Sequence, residues 1–275
     1  GDPAISPSQS PGCDPGLYNE GQVIEMTARP DPGYKVSGWH QTDDDASVAL
    51  VNRVTKDANP DQQFAEVYYE PAIYCPEGTE KQMWLDDDME SGVGGWTHSA
   101  AIGADTWALE SGDSVSPTHA WHGLASNAPS DIRLVSPTVD IPAMATNAVL
   151  GFYNQRRFRL EVGGSACTQG AVIEYSVDGG ANWLPFEYDD FLADPYDGLI
   201  SAFQNPLDAR EAWCGAQRWI RTEVDLINHT GKTMNFRLRI GTDDAGDADG
   251  WHIDDFQVAG CVLPELIYTD GFELP

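Results

Sequence analysis

Six aspartates and one tryptophan share the stretch Gly241–Val258, GTDDAGDADGWHIDDFQV. Asp243, Asp244, Asp247 and Asp249 stand among small residues that let a backbone fold back on itself, so that their carboxylates converge. A hard cation such as calcium, which takes roughly six to eight oxygen ligands, needs that arrangement. A solvated acidic loop is the plainer alternative. A second acidic run, Asp86, Asp87, Asp88 and Glu90 in LDDDMESGVGGW, precedes a glycine turn and Trp96. If these two runs begin and end one β-sandwich, their strands become neighbours and three or four carboxylates meet around one ion. Left without a cation, they would repel one another.

Other chemistry finds little support. His119 and His122 in THAWHG lack the H-E-x-x-H frame that sets two zinc ligands and a base on one helix, so packing and hydrogen bonding are the expected roles. His252, on a strand between Trp251 and Ile253, is expected to face solvent, and His40, His98 and His229 show no partner spacing. No G-x-S-x-G elbow, phosphate-binding loop or cysteine-nucleophile segment is present. With 44 acidic residues, a carboxylate pair occurs in every region and says nothing about glycoside hydrolysis. Arg156, Arg157 and Arg159 form the one basic cluster; alternation sends Arg157 and Arg159 to one face, to pair with acidic neighbours, the usual outcome, or to grip an anionic ligand.

Fifteen Lys and Arg against those 44 acids give a net charge of −29, which repels nucleic acid and anionic membranes. No apolar run approaches the ~18 residues of a membrane span. The chain opens GDPAISPSQSPG without a signal peptide, so an exported protein would already have lost its signal. Five cysteines without a C-x-x-C pair argue for disulfides in an oxidising compartment. Cys167 is expected to pair with Cys214, and Cys75 with either Cys13 or Cys261.

Turn signals recur about every ten residues with almost no helical periodicity, which reads as all-β. Residues 1–12, rich in Pro, Ser and Gly, read as a flexible arm. In residues 13–75, two runs around Val23–Ala28 and Tyr34–Trp39, separated by Pro30-Asp31-Pro32-Gly33, suggest a hairpin. Strand-like runs follow at Ser47–Val54 and Phe64–Tyr69. The stretch Thr27–Trp39 resembles the TATPDPGYxFxGW hallmark of bacterial repeat modules of the divergent internalin B-repeat type. The boundary falls in EPAIYCPEGTE, residues 70–80. In residues 79–262, strands are expected at Leu134–Pro137, Ala148–Tyr153, Ala171–Val177, Ile220–Leu226 and Met234–Ile240, arranged as an antiparallel jelly-roll β-sandwich. SVDGGANW, Ser176–Trp183, fits the Asp-box pattern, in which the aspartate and glycines shape a hairpin that the tryptophan plugs. Residues 187–215 read as a long insertion with a short helix, pinned by Cys214.

Four ordered motifs, HAWHGLASNAPSDIRLVSPTVDIP, GAVIEYSVDGGANW, NPLDAREAWCG and GTDDAGDADGWHIDDFQV, resemble the jelly-roll domains appended to secreted bacterial proteases. Those domains are similar to MAM and cleaved-adhesin modules. The resemblance implies a calcium ion at the D-x-E and IDD positions: Asp88 and Glu90 with Asp255 or Asp254, completed by Asp243 and backbone carbonyls. The tail, residues 263–275, contains LIYTDGFELP, similar to the IFxDGFE ending of many secreted proteins of gammaproteobacteria.

The expected protein is therefore secreted, bacterial and non-enzymatic. It would be a calcium-stabilised binding or adhesion protein, or an accessory segment of an exported protease, whose partner is an extracellular protein or glycan. Two other readings stay open: a self-assembling structural subunit of an extracellular filament, and a carbohydrate-binding module using Trp107, Trp121, Trp213 and Trp219.

Overall fold

Alternating apolar and polar residues run through the chain, and its computed structural model is correspondingly all β. The described residues are 3–31, 34–58, 63–161, 166–244, 246 and 248–264. The tail motif from Leu266 onward, and Asp247, lie outside them.

The first unit holds β1 (Ala4–Ser6), β2 (Val23–Thr27), β3 (Tyr34–His40), β4 (Val51–Thr55) and β5 (Glu66–Pro71). Residues 1–12 are not a free arm throughout, because Ala4–Ser6 pairs with β2 as an edge strand. The expected hairpin does not form either. β2 pairs with β4 in one sheet while β3 pairs with β5 in another. Pro30 lacks the N–H that a continued ladder would use, and the chain crosses from one layer to the other before β3 begins. Met26, Ala28, Val36, Trp39, Leu50 and Val54 form the core between these layers.

The second unit begins with β6 (Glu80–Asp87), β7 (Thr97–Ile102), β8 (Ala108–Ser111), β9 (His119–Ala125), β10 (Ser130–Val135) and β11 (Val139–Asp140). The long β12 (Ala145–Arg157) follows, then β13 (Gly170–Ser176), β14 (Leu184–Pro185), β15 (Phe191–Ala193), β16 (Gly198–Leu199) and β17 (Glu211–Ala212). It closes with β18 (Ala216–Asp225), β19 (Thr233–Thr242) and β20 (Ala248–Val262). One sheet runs β14-β13-β19-β10-β7 and the other β15-β18-β12-β20-β9-β8, with β6 also on β20. The five strands expected from sequence all appear. Between the sheets, Trp121, Phe152, Trp213, Phe236, Trp251 and Phe256 are fully buried. Most of their rings meet edge-on or tilted, as between Trp213 and Trp251 at 5.4 Å, while Phe152 and Phe256 stack at 5.6 Å.

The Asp-box hairpin is built as expected: Asp178 accepts hydrogen bonds from the backbone N and side chain of Asn182 at 2.9 and 2.7 Å. The insertion carries a 3-10 turn at Tyr188–Asp190 and folds over the Gly170–Gly241 end of the first sheet's outer face. A Cβ at Gly241 would meet Leu207 Cγ at 2.7 Å, so this glycine is what lets the insertion seat.

The two units share a packed seam. Trp219 and Tyr153 of the sandwich join the core of the first unit, Leu50 N donates to Trp219 O at 2.9 Å, and Lys35 pairs with Glu223 at 2.6 Å.

Disulfides join Cys167 to Cys214 and Cys75 to Cys261, while Cys13 is free. Cys13 therefore drops out as a bridge candidate: its sulfur sits beside Asn19 in its own loop, whereas Cys75 lies against the last strand. The Cys75–Cys261 bridge spans 186 residues, so its loss frees much unfolded-state entropy. Replacing both of its cysteines by serine should cost about 2–5 kcal/mol in denaturant unfolding. Alkylation of the denatured, unreduced chain should add a single label, at Cys13. Two or more labels would contradict the pairing.

Candidate functional site

The site grows out of one irregularity in β20. Along one edge, β20 pairs with β12, and between Gly151 and Tyr153 the register slips so that Gly151 faces Gln257 while Tyr153 faces Asp254. The strand carries one residue more than its partner there, which makes a β-bulge. Along the other edge it pairs first with β9, up to Ile253 opposite Trp121, and then with β6, from Phe256 opposite Asp87. Asp254 and Asp255 occupy the gap between those two partners.

Both carboxylates enter that gap. Asp254 is fully buried, and its oxygens accept from Val115 N at 2.7 Å, Ser116 N at 3.0 Å, Ser116 Oγ at 3.1 Å and Asp255 N at 2.7 Å. Asp255 sits at φ 48°, and two more non-glycine residues with positive φ, Met89 at 61° and Thr118 at 105°, flank the same gap. Aspartate tolerates that region, but methionine and β-branched threonine do so at a cost, and such strain clusters where function holds a backbone in place.

The end of β6 supplies the other side. Asp88 O accepts from Ser116 Oγ at 2.8 Å, and Glu90 accepts from Thr118 Oγ1 at 2.6 Å and His119 N at 2.7 Å. Thr118 and His119 hold the Glu90 carboxyl below its ordinary range, even against some desolvation. Asp88, Glu90, Asp254 and Asp255 thus converge on one loop, Ser114–His119. Asp243 does not. It follows the end of β19, whereas Asp254 lies six residues into β20, about 20 Å along the strand at ~3.3 Å per residue. The loop aspartates and the IDD pair are separate features.

Burial, and then the neighbouring Asp255, push the Asp254 carboxyl up to about 7. Burial also raises Asp255, to about 6, with Asp88 and Asp86 adding to the rise and Arg221 and Ser116 opposing it. Arg221 is a cation that acts on Asp255, and it is shared, donating to Glu223 at 3.1 Å and Gln257 at 3.2 Å. Among the described residues no three His, Cys, Asp or Glu side chains are gathered closely enough to hold a metal by themselves. The donor chemistry nevertheless fits a hard cation: two adjacent carboxylates short of positive charge, one buried and one half-buried, a carbonyl at Asp88, and hydroxyl oxygens.

Other expectations change. His252 is not turned to solvent; it is half-buried and stacked on His122 at 3.8 Å, and burial, then His122, lower its pKa. His122 is tied to Glu110 and Asp249, and His98 has a partner after all in Asp105 at 2.7 Å. Trp107, Trp121, Trp213 and Trp219 are 3%, 1%, 0% and 5% exposed, so none forms a sugar platform. Arg156 is buried against Asp194 at 2.9 Å. The basic cluster lies elsewhere: Arg133, Arg210, Arg237 and Arg239 share Asp131 and Glu174 on the first sheet. Sequence reading missed it because those arginines come from three separated segments.

Residues 8–63 match the model of the divergent InlB B-repeat domain. No curated protein matches the chain. Among solved structures, the carbohydrate-binding module TmCBM61 in complex with β-1,4-galactotriose is 15% identical, with 64% of this chain and 97% of that one covered at a TM-score of 0.41. The K3 cleaved adhesin domain of Lys-gingipain from Porphyromonas gingivalis is 18% identical over 66% of this chain and 99% of that one, at a TM-score of 0.39. A carbohydrate-binding module of the β-sandwich superfamily is 10% identical over 93% of this chain and 96% of that one, with a TM-score of 0.37.

The raised carboxyls set a pH dependence for the cation-free protein. Between about pH 4 and 7 the folded state keeps protons that the unfolded state releases, so stability falls as pH rises through that window, by a few kcal/mol in all. In excess chelator, melting should occur at higher temperature at pH 5 than at pH 7.5. Asp255→Asn, which suits the positive φ, should shrink that difference; an unchanged difference would refute the assignment.

Proposed function

We propose that this chain is an exported, non-catalytic binding protein whose sandwich is closed at its ends by one calcium ion. The observation that carries the calcium reading is the Asp254–Asp255 pair at the bulge: adjacent, one fully buried and one half-buried, with Arg221 shared among other partners. Asp255, Asp254 and Asp88 would hold the ion, with Glu90 keeping the Ser114–His119 loop against β6. Calcium there supplies positive charge that neutralises the buried carboxylates, tying the first strand of the sandwich to the last. The role is structural, since Asp254 is fully buried and holds the Ser114–His119 loop.

Two disulfides support an oxidising, extracellular setting, and the strongly acidic surface suits one. Binding is supported by polar surface at the junction of the two units, where a cleft of about 470 Å³ is lined by Glu25, Asp43, Asn52, Arg53, Gln217 and Arg218. Such junctions are where ligands commonly lodge. Its partner is proposed to be an extracellular protein or a glycan.

Millimolar calcium should raise the melting temperature of chelator-treated protein by several degrees. Magnesium, which demands a tighter octahedral shell, should do much less. Asp255→Asn should blunt the calcium response. An identical melting temperature with calcium and with chelator would defeat the reading.

A further inference from the structure

We infer that the outer face of the first sheet is a binding surface for carboxylated glycans, recognised by an arginine cluster. Two adjacent rungs build it. Ser99, Arg133, Arg239 and Val172 face one another across β7, β10, β19 and β13, and Thr97, Val135, Arg237, Glu174 and Pro185 form the next rung. Strand alternation sends Leu238 and Ile240 into the core and Arg237 and Arg239 outward. Arg210 arrives from the insertion.

Four guanidinium groups here share two carboxylates. Asp131 is gripped by Arg133 and by Arg239, the latter at 2.7 Å, and Glu174 by Arg210, Arg237 and Arg239. The carboxylates are each 4% exposed, whereas Arg133 and Arg210 are 29% and 28% exposed. Negative charge therefore lies beneath and positive charge above, with an excess of two cations. Desolvation, although offset by Glu174, lowers the pKa of Arg237, and Arg133 and Arg239 lower it further, as expected where like charges crowd. Each guanidinium carries five N–H donors. Arg133 and Arg210, the more exposed pair, make three hydrogen bonds to the two carboxylates, so most of their donors remain for solvent or ligand.

The ligand class follows from charge and shape. The guanidinium fork matches a planar carboxylate through paired hydrogen bonds. Half-buried Trp183, over whose ring Arg237 lies at 4.4 Å, gives the patch an apolar border. In a protein of net charge −29 an excess of two cannot attract a densely charged polymer such as DNA, with one charge per ~1.7 Å. A glycan bearing one carboxylate per sugar spreads its charge more thinly. It also offers ring faces to Trp183 and hydroxyls to Ser99 and Thr97. This surface is independent of the acidic seam.

Affinity electrophoresis of the whole chain, with calcium present, tests it. Polygalacturonate in the gel should retard the protein, fully methyl-esterified polygalacturonate should not, and retardation should fade with added salt. Arg133→Gln with Arg210→Gln should weaken retardation at least about tenfold while leaving the melting temperature near that of the parent. Arg133→Lys with Arg210→Lys, which keeps the charge but not the fork, should fall between. Equal retardation by the methyl ester, equal or stronger retardation by dextran sulfate, or glutamine variants that bind as well as the parent would each overturn the inference. Binding lost on chelation but untouched in the arginine variants would assign it to the seam instead.

Discussion

β20 has to be paired on both edges along its length, and the partner on one edge changes halfway. A strand cannot pass from one neighbour to another without leaving backbone groups unpaired at the step, and a buried N–H or C=O left that way is costly. The bulge at Asp255 meets that constraint. It rotates the strand where β9 ends and β6 begins, and Asp254 turns its carboxylate toward the loop that spans the step. Val115 N and Ser116 N thereby gain an acceptor that no neighbouring strand provides. The carboxylate at this point is thus a substitute for missing ladder bonds, and its burial is the consequence.

The seam with the first unit is coupled to the same place. Lys35 pairs with Glu223, Glu223 with Arg221, and Arg221 is the cation that moderates Asp255. Arg221 also lies over the ring of Tyr153 at 5.5 Å, and Tyr153 packs into the core of the first unit. A change in how the small unit seats would alter what Arg221 can offer Asp255. The two units therefore share an electrostatic path as well as an apolar contact, and the ends of the sandwich do not titrate independently of its neighbour.

Much of this was legible in the sequence, and the failures have a common cause. Period-two alternation located the long strands because each has one face in the core. The Cys167–Cys214 bridge, the Asp-box hairpin and the meeting of first and last strands also emerged as expected. What alternation does not carry is partnership. It could not show that β2 and β3 belong to different sheets, nor that Ala4–Ser6 adds an edge to β2. The same blindness affects the sites. Asp243 and Asp255 are near in sequence, but Asp243 follows β19 while Asp255 lies well inside β20, whereas Arg133, Arg210 and Arg239 are distant in sequence and adjacent in space. The tryptophans looked available for ligand because large aromatics read alike whether they line a face or fill a core.

The acidic seam and the arginine face are opposite solutions to one problem, how to keep a carboxylate below the surface. Around Asp131 and Glu174 the chain supplies more positive charge than it needs, and both carboxyls fall below their ordinary range despite desolvation. Around Asp254 and Asp255 it supplies too little, and both rise. Opposite-charge partners of the same kind were open to evolution at both places, since arginine is what the first sheet uses. Leaving the seam in deficit makes sense if its missing charge comes from solvent as a small ion. Leaving the sheet in surplus makes sense if its missing charge arrives as an anion on a larger ligand, because Arg133 and Arg210 stay partly exposed there. The direction of each imbalance, read against how enclosed the place is, therefore points to the kind of partner that would complete it.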